Sequence, residues 1–217
     1  MTNQVPSHDA AAEGNFTATI VAILKKFMQS TDDMLPAIVE TYDRPANRAV
    51  VRPLIAMVLT SGEQLRRAPF ASIPVMQFGG GGFVLSFPIK PGNLGWIKAN
   101  DRDISLFAQS FNESVPNTER LHSFSDAVFI PDVMRGYTIA GEDADNAVLQ
   151  NLDGSVRVSL WPGKIKMTAP LVEIDGALTV TGQVTSGTGV NVGAVELTTH
   201  KHTGIQPGTG TSGGPTA

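Results

Sequence analysis

The chain has 217 residues, of which 41% are apolar and 17% are charged, a composition typical of a folded protein rather than a disordered one. A net charge of −4 and an aromatic content of 6% argue against a basic, aromatic groove for nucleic acid. The absence of cysteine excludes disulfides, and 22 glycines with 14 prolines favour a turn-rich, mainly β fold.

Residues 1–33 are predicted to form a flexible leader followed by one amphipathic helix. The polar start, MTNQVPSHDAAAEGN, lacks the features of a signal peptide, and the longest apolar run, Leu54 to Leu59, is too short to span a bilayer. A helix is expected from Phe16 to Asp32, because apolar residues recur there at helical spacing. These residues are Phe16, Ile20, Ile23, Leu24 and Phe27. This stripe is either a core face or a subunit contact, and the local sequence leaves both open.

Residues 34–125 are predicted to form a small antiparallel barrel of the OB type. The apolar runs MLPAIVETYD and AVVRPLIAMVL are rich in β-branched residues, and the turn-like RPANR joins them. Two or three further strand-like pieces follow around glycine and proline, which gives about five strands in all. Residues 126–154 contain several aspartates and no sustained period, so we expect a connector there.

Residues 155–217 have a third texture, a series of very short alternating strands separated by glycines. The alternating apolar residues are Val156, Val158, Leu160, Ile165, Met167, Ala169, Leu171, Leu178, Val180, Val190 and Val192, and the glycines are Gly182, Gly187, Gly189 and Gly193. Strands this short bury too little surface to fold alone, and roughly 45 residues are too few for a single-chain solenoid. Three copies wound around a common axis would pair every strand edge. The pattern therefore predicts a trimeric β-prism or an intertwined, triple-stranded β-helix, in either case a needle.

Two histidines, His200 and His202, close this segment. Residues i and i+2 of a strand point to the same side, so three chains would place six imidazoles around one point of a threefold axis. Neutral imidazole suits Fe, Ni, Cu and Zn, and six such ligands leave no open position, so the metal would be structural. The alternative is that both rings are ordinary surface histidines. His8 and His122 have no such context and are expected at the surface.

The tail LTTHKHTGIQPGTGTSGGP resembles the C-terminal signature of the central spike proteins of contractile-tail bacteriophages, called baseplate assembly protein V or the membrane-piercing tip. The preceding repeat, GKIKMTAPLVEIDGALTVTGQVTSGTGVNVGAVEL, is similar to the β-helical shaft of these spikes. The pieces MLPAIVETYD, VVRPLI and FSDAVFIPDV resemble their N-terminal OB domain and its exit. The resemblance covers Met34 to Pro215. The long helix before it departs from the family pattern and would either brace the base of the trimer or face the hub.

This resemblance implies a homotrimer with one structural iron ion, shared by three chains and held by His200 and His202. It also implies that the OB domain binds the baseplate hub and tail tube, and that the apex meets the host outer envelope when the tail contracts. The protein would then be made in the host cytoplasm and placed in the virion, at the tip of the tail baseplate.

Other function classes fit the sequence less well. GTSGGP near the end is similar to the nucleophile segment of a trypsin-like protease, but that serine needs a following stretch of barrel and an earlier His–Asp pair, and Ser212 lies five residues from the end. No enzymatic activity is therefore expected. FGGGGF lacks the Gly-Lys-Ser/Thr of a phosphate loop. A trimeric receptor-binding fibre and a secretion-system spike remain alternatives. A fibre usually carries a bulky head, and a secretion spike usually includes a larger hub in the same chain.

Overall fold

A computed structural model describes residues 15–59, 62–134, 136–197, 201 and 208 of the chain. The chain divides into two compact units, Met1–Thr168 and Ala169–Ala217. The described residues are mainly β with few helices, which confirms the predicted class. Within these residues, no helix combines the length and the apolar character needed to cross a membrane.

The secondary structure elements are named here in chain order. The helical elements are α1 (Phe16–Ser30), α2 (Phe107–Ser110) and a 3-10 turn (Gly141–Asp143). The strands of the first unit are β1 (Met34–Asp43), β2 (Arg48–Pro53), β3 (Met57–Val58), β4 (Gln64–Leu65), β5 (Phe70–Pro74), β6 (Phe78–Gly80), β7 (Phe83–Leu85), β8 (Leu94–Arg102), β9 (Leu121–Pro131), β10 (Ala147–Gln150), β11 (Arg157–Trp161) and β12 (Lys164–Thr168). The second unit contributes β13 (Asn191–Val192) and β14 (Val195–Glu196).

The largest sheet is five-stranded, in the order β5-β2-β1-β8-β9, with antiparallel neighbours. Its two edge strands, β5 and β9, approach each other. Just after β5, the Met76 backbone N–H donates to the carbonyl of Phe129 on β9 at 2.8 Å. The sheet is therefore a nearly closed, barrel-like structure, as predicted in outline. The predicted strand MLPAIVETYD is confirmed as β1. The second predicted run, AVVRPLIAMVL, is instead divided between β2 and β3. Strand β2 ends at Pro53, after which the Leu54 N–H donates to the Pro36 carbonyl.

The core of the barrel follows from alternation on these strands. Successive strand residues point to opposite faces, and the buried residues of β1, β2 and β8 accordingly fall at every second position. The buried apolar residues are Ala37, Val39, Ala49, Val51, Ile73, Val75, Ile89, Ile97, Ala99, Phe124, Ala127 and Phe129. Gly95 faces the Phe129 ring across β8 and β9, where a side chain of its own would collide with it.

Strand β9 continues to Pro131, beyond residue 125, where sequence reasoning ended the barrel. Asp126 interrupts the apolar period there, and for that reason the sequence looked like the start of a connector. In the structure the Asp126 carboxylate is buried and paired with Arg120 at 2.9 Å, so the strand tolerates it. The predicted connector also contains β10, which pairs with β11. The division into four domains is otherwise still a prediction.

Helix α1 is close to its predicted extent. It begins after Asn15, whose side chain accepts a hydrogen bond from the Thr17 N–H at 2.9 Å, and it ends at Ser30, two residues before the predicted Asp32. The hydroxyl of Thr31 then bonds to the Met28 carbonyl at 2.8 Å. The apolar stripe of the helix is exposed, so it is not a core face within this chain.

The second unit has little regular structure among its described residues. Strands β13 and β14 form one short hairpin, with Val192 opposite Val195, and residues 169–190 contain no strand. Leu178 and Val180, predicted to lie on a strand, therefore do not. The physical reason is that segments this short find no partner edge within one chain. The trimeric β-helix is still a prediction.

Candidate subunit interface

The three-stranded sheet β10-β11-β12 gathers most of its apolar side chains on one face, while Val148 and Trp161 lie on the other. Its register places Val158 between Leu149 and Met167, and Leu160 between Ala147 and Ile165. Residues that are directly opposite in an antiparallel pair point to the same side, and the next residue of each strand points to the other. Six apolar side chains therefore share one face, here called the apolar sheet face. They are Ala147, Leu149, Val158, Leu160, Ile165 and Met167.

The apolar sheet face is turned towards solvent in the single chain. The exposed fractions are 56% for Leu149, 54% for Leu160, 66% for Ile165 and 60% for Met167. On the other face, Ser159 is fully buried. This arrangement reverses the usual one, in which the polar face of a half-covered antiparallel sheet is the wet one. A contiguous apolar surface of this kind is typical of a protein–protein contact.

Ion pairs hold the polar face of the same sheet against the preceding connector. The Arg157 Nε lies 2.7 Å from Oδ2 of Asp143, which is fully buried in the 3-10 turn, and the Arg157 guanidinium also bonds to Glu142. Lys166 Nζ lies 2.7 Å from the other carboxylate oxygen of Glu142. The hydrogen bonds from Lys166 and then from Arg157 hold the pKa of Glu142 below its usual range. These ion pairs draw the polar face of the sheet against the connector, which leaves the apolar face outermost.

A tight turn fixes the register of β11 and β12. Pro162 presets a turn backbone, and Gly163 takes a φ of 100°, a value that a residue with a side chain rarely adopts. Trp161 and Lys164 are paired across this turn, and the Lys164 ammonium lies 4.1 Å from the centre of the Trp161 ring. A one-residue slip would move the side chains of one strand to the opposite face, so this turn keeps the apolar residues of β11 and β12 on a common face.

The second unit also presents apolar side chains to solvent. Among its most exposed are Leu171, Leu178, Val184 and Ile174, each with more than half of its surface accessible. One chain alone does not provide a core for them. Exposed apolar side chains thus occur both on the apolar sheet face of the first unit and along the second unit.

The charged cluster that sequence reasoning missed lies inside the barrel wall. Arg120 reaches Asp126 Oδ2 at 2.9 Å and Asp103 Oδ2 at 3.0 Å, and both carboxylates are nearly or fully buried. The pKa of Asp103 is held far below its usual range, first by the Thr118 hydroxyl at 2.6 Å and also by the Ser105 backbone N–H. The aspartate is therefore an ionised acceptor that fixes the loop before β9. An acid in the middle of an apolar strand, Asp126, was the available signal.

The predicted metal ligands His200 and His202 lie outside the described residues. Lys201 between them is exposed. His122, expected at the surface, is partly exposed on β9, with Nε2 3.0 Å from Asp101 Oδ1. His8 also lies outside the described residues. In the described part of the chain, no group of three or more His, Cys, Asp or Glu side chains could hold a metal ion.

Comparison with known proteins bears on the barrel. Residues 35–132 match the family model of the phage protein Gp138 N-terminal domain. The chain therefore carries a phage structural, baseplate-related domain, and such a domain indicates a component of the virion. The matched segment runs from β1 to the end of β9, so it coincides with the barrel-like sheet. Among curated proteins, none matches this chain.

Proposed function

We propose that this protein is the homotrimeric central spike of a phage tail baseplate and that it acts mechanically. The barrel-like sheet, taken as an OB-type domain, binds the baseplate hub at the end of the tail tube. The C-terminal segment forms the needle, whose apex meets the host outer envelope on contraction. The phage origin of the matched domain favours this reading over a secretion-system spike. No enzymatic activity is part of the proposal.

The observation that carries the proposal is the apolar sheet face. Ion pairs hold its polar side inward, so this face stays in water in the single chain, and contact with another copy would remove it from water. Three copies arranged around an axis would direct three such faces at one another, and each copy would supply the same surface. A closed cyclic assembly of this kind uses every copy in the same way and leaves no face open.

Force transmission follows from the same packing. A needle under axial load fails when strands separate at an exposed edge, and an intertwined trimer pairs each edge with a neighbouring chain. The exposed residues of the second unit, Leu171, Ile174 and Leu178 among them, would then form the shared interior. Because the chain contains no cysteine, this interior and the strand pairing would provide the cohesion without disulfides.

The proposed spike ends in a structural metal site made by His200 and His202 of the three chains. The donor set fits a first-row transition metal, because two imidazoles per chain give six neutral nitrogen ligands in a trimer. Iron is the ion that the family resemblance implies. Such an ion would join the three chain ends. Residues 200 and 202 would have to be neutral to bind it, so acid should release the metal.

The mass of the full-length protein in solution tests the proposal. We expect light scattering to give about three times the chain mass of 22.9 kDa at micromolar concentration. Ile165→Asp should weaken or abolish the trimer, because each copy would bury an unpaired charge at the interface. Lys164→Asp is the comparison variant: it places a carboxylate at the adjacent position on the other face, where it loses the contact with the Trp161 ring but meets no partner chain, so the trimer should persist. A monomeric wild-type chain, or equal effects of both substitutions, would contradict the proposal.

A further inference from the structure

The exposed stripe on α1 has the spacing of a coiled-coil seam. Its residues Phe16, Ile20, Ile23 and Phe27 are separated by four, three and four positions, which corresponds to heptad positions d, a, d and a. Their exposed fractions are 80%, 42%, 62% and 62%. The stripe thus combines a regular seam with a surface that the single chain leaves largely in water.

We infer that α1 packs against the same helix of two other copies as a short parallel three-helix bundle, an inference that rests on the proposed trimer. The residues at the middle of the seam favour a bundle of three helices over a pair. Isoleucine occupies both a central a position, Ile20, and a central d position, Ile23, and isoleucine at both positions shifts coiled coils from dimers to trimers and tetramers.

The charges of the helix are compatible with contact between identical copies. Lys25 lies at an f position, opposite the seam, and Lys26 lies at a g position. In a parallel bundle, a g residue faces the e residue of the following heptad on the neighbouring helix. Here that position falls at Thr31, which is neutral and lies just beyond the end of α1. The helix contains no acidic residue, so no salt bridge between copies is required and no like-charge pair is forced together.

The start of the barrel holds the end of the helix in place. Asp32, two residues beyond α1, accepts from Arg67 Nη1 at 3.1 Å and from the Phe124 backbone N–H at 3.2 Å. Its own backbone N–H donates to the His122 carbonyl at 2.8 Å. In a trimer, the three barrels would therefore hold the C-terminal ends of their helices at three equivalent positions. Tethering of this kind raises the local concentration of one helix for another.

The size of the seam agrees with a tethered contact. At roughly 150–250 Å² for a packed aromatic side chain, the six phenylalanines of three helices would alone cover about 900–1,500 Å². That area is close to the ~1,200 Å² at which independent interfaces begin. A helix of 15 residues is nevertheless marginal alone. The bundle should thus form in the trimer and not in the isolated segment, so the full chain is the material to test.

Single cysteines test the inference directly, because the natural chain has none. Ile23→Cys places a thiol in the seam, and Lys25→Cys places one on the far side of the same helix. After mild oxidation of the full-length protein, we expect covalent dimers from the seam variant and little cross-linking from the control. If both variants cross-link equally, or neither does, while light scattering still gives a trimer, the helix inference fails and the proposed spike stands. If the wild type is a monomer, both fail.

Tryptic cleavage after Lys25 and Lys26 gives a second measurement. Cleavage needs local opening of the helix, so packing should protect both sites. We expect Ile23→Asp to raise the cleavage rate about tenfold or more over the wild type. Ala22→Asp, at exposed position c of the same helix, should raise the rate less. Equal rates for the two variants would overturn the inference. Binding of the wild-type chain to vesicles of zwitterionic and anionic lipid through α1, with no cross-linking of the Ile23→Cys variant, would assign the stripe to a membrane instead.

Discussion

Replacing Gly95 by alanine should destabilise the barrel through a collision that the structure locates. A Cβ atom at Gly95 would lie 2.4 Å from the Ile130 carbonyl oxygen and 2.4 Å from Cζ of Phe129. Ordinary contact begins near 3.4 Å, so β8 and β9 would have to separate by about 1 Å or the buried ring would have to leave its place. The carbonyl belongs to the backbone of a paired strand and cannot rotate away, so we expect the larger part of the cost there.

The expected magnitude combines two opposing effects. Overpacking of a core costs about 1–3 kcal/mol, and a backbone obstacle places this site at the upper end. The loss of glycine's freedom in the unfolded chain returns about 0.4–1 kcal/mol. A net loss of roughly 2–2.5 kcal/mol corresponds to a decrease in Tm of about 4–10 °C for a protein of this size.

Thermal unfolding at equal chain concentration measures this loss, since the stability of an oligomer depends on concentration. Gly80→Ala is the matched control: Gly80 also lies on a strand, and a Cβ there meets nothing within 4 Å. The control should keep its Tm within experimental error or raise it slightly. An unchanged Tm for Gly95→Ala, or an equal shift in both variants, would mean that the register of β8 and β9 differs from the one described.

Three further outcomes are expected. Thr118→Val should lower the Tm at pH 7, because Asp103 loses the hydroxyl hydrogen bond that contributes most to its lowered pKa. The pKa of Asp103 is lowered in the folded chain, so its ionised form stabilises the fold above its ordinary value of 3.8 and this stabilisation is lost as the pH falls below it. The effect of the substitution should therefore shrink towards pH 3, and a loss independent of pH would contradict the cluster. A fragment of residues 15–132 should keep the β signal of the barrel in circular dichroism, since its core is internal, and a random-coil spectrum would refute this. Elemental analysis should find one metal ion per three chains, lost in His202→Ala, whereas a metal-free wild type would exclude the apex site.

The barrel was largely predictable because its signals are local. The alternation in MLPAIVETYD places Ala37 and Val39 on one side, and β1 forms there as expected. The end of the barrel was not predictable in the same way. Asp126 lies within β9 only because Arg120, six residues earlier, neutralises it, and that contact depends on the fold of the intervening loop. A local pattern does not contain this information.

The candidate interface was predictable in part. The alternation of Val158 with Leu160, and of Ile165 with Met167, indicated one-sided strands, and the register confirms that these residues share a face. The sequence could not indicate which face is outward. That choice depends on Arg157 and Lys166, which bind the acidic 3-10 turn and draw the polar side of the sheet against the connector.

The ion pairs on the polar face of this sheet determine that the apolar sheet face is exposed. If the ion pairs of Arg157 were absent, the sheet could cover its apolar side with its own connector and expose its serine and lysines, and the chain would have little reason to associate. The buried Asp143 makes that alternative costly, because the reversed sheet would leave its carboxylate without a cation. Electrostatics within one chain therefore keeps Leu149, Leu160 and Ile165 available for contact between chains, and the hydrophobic effect then favours association.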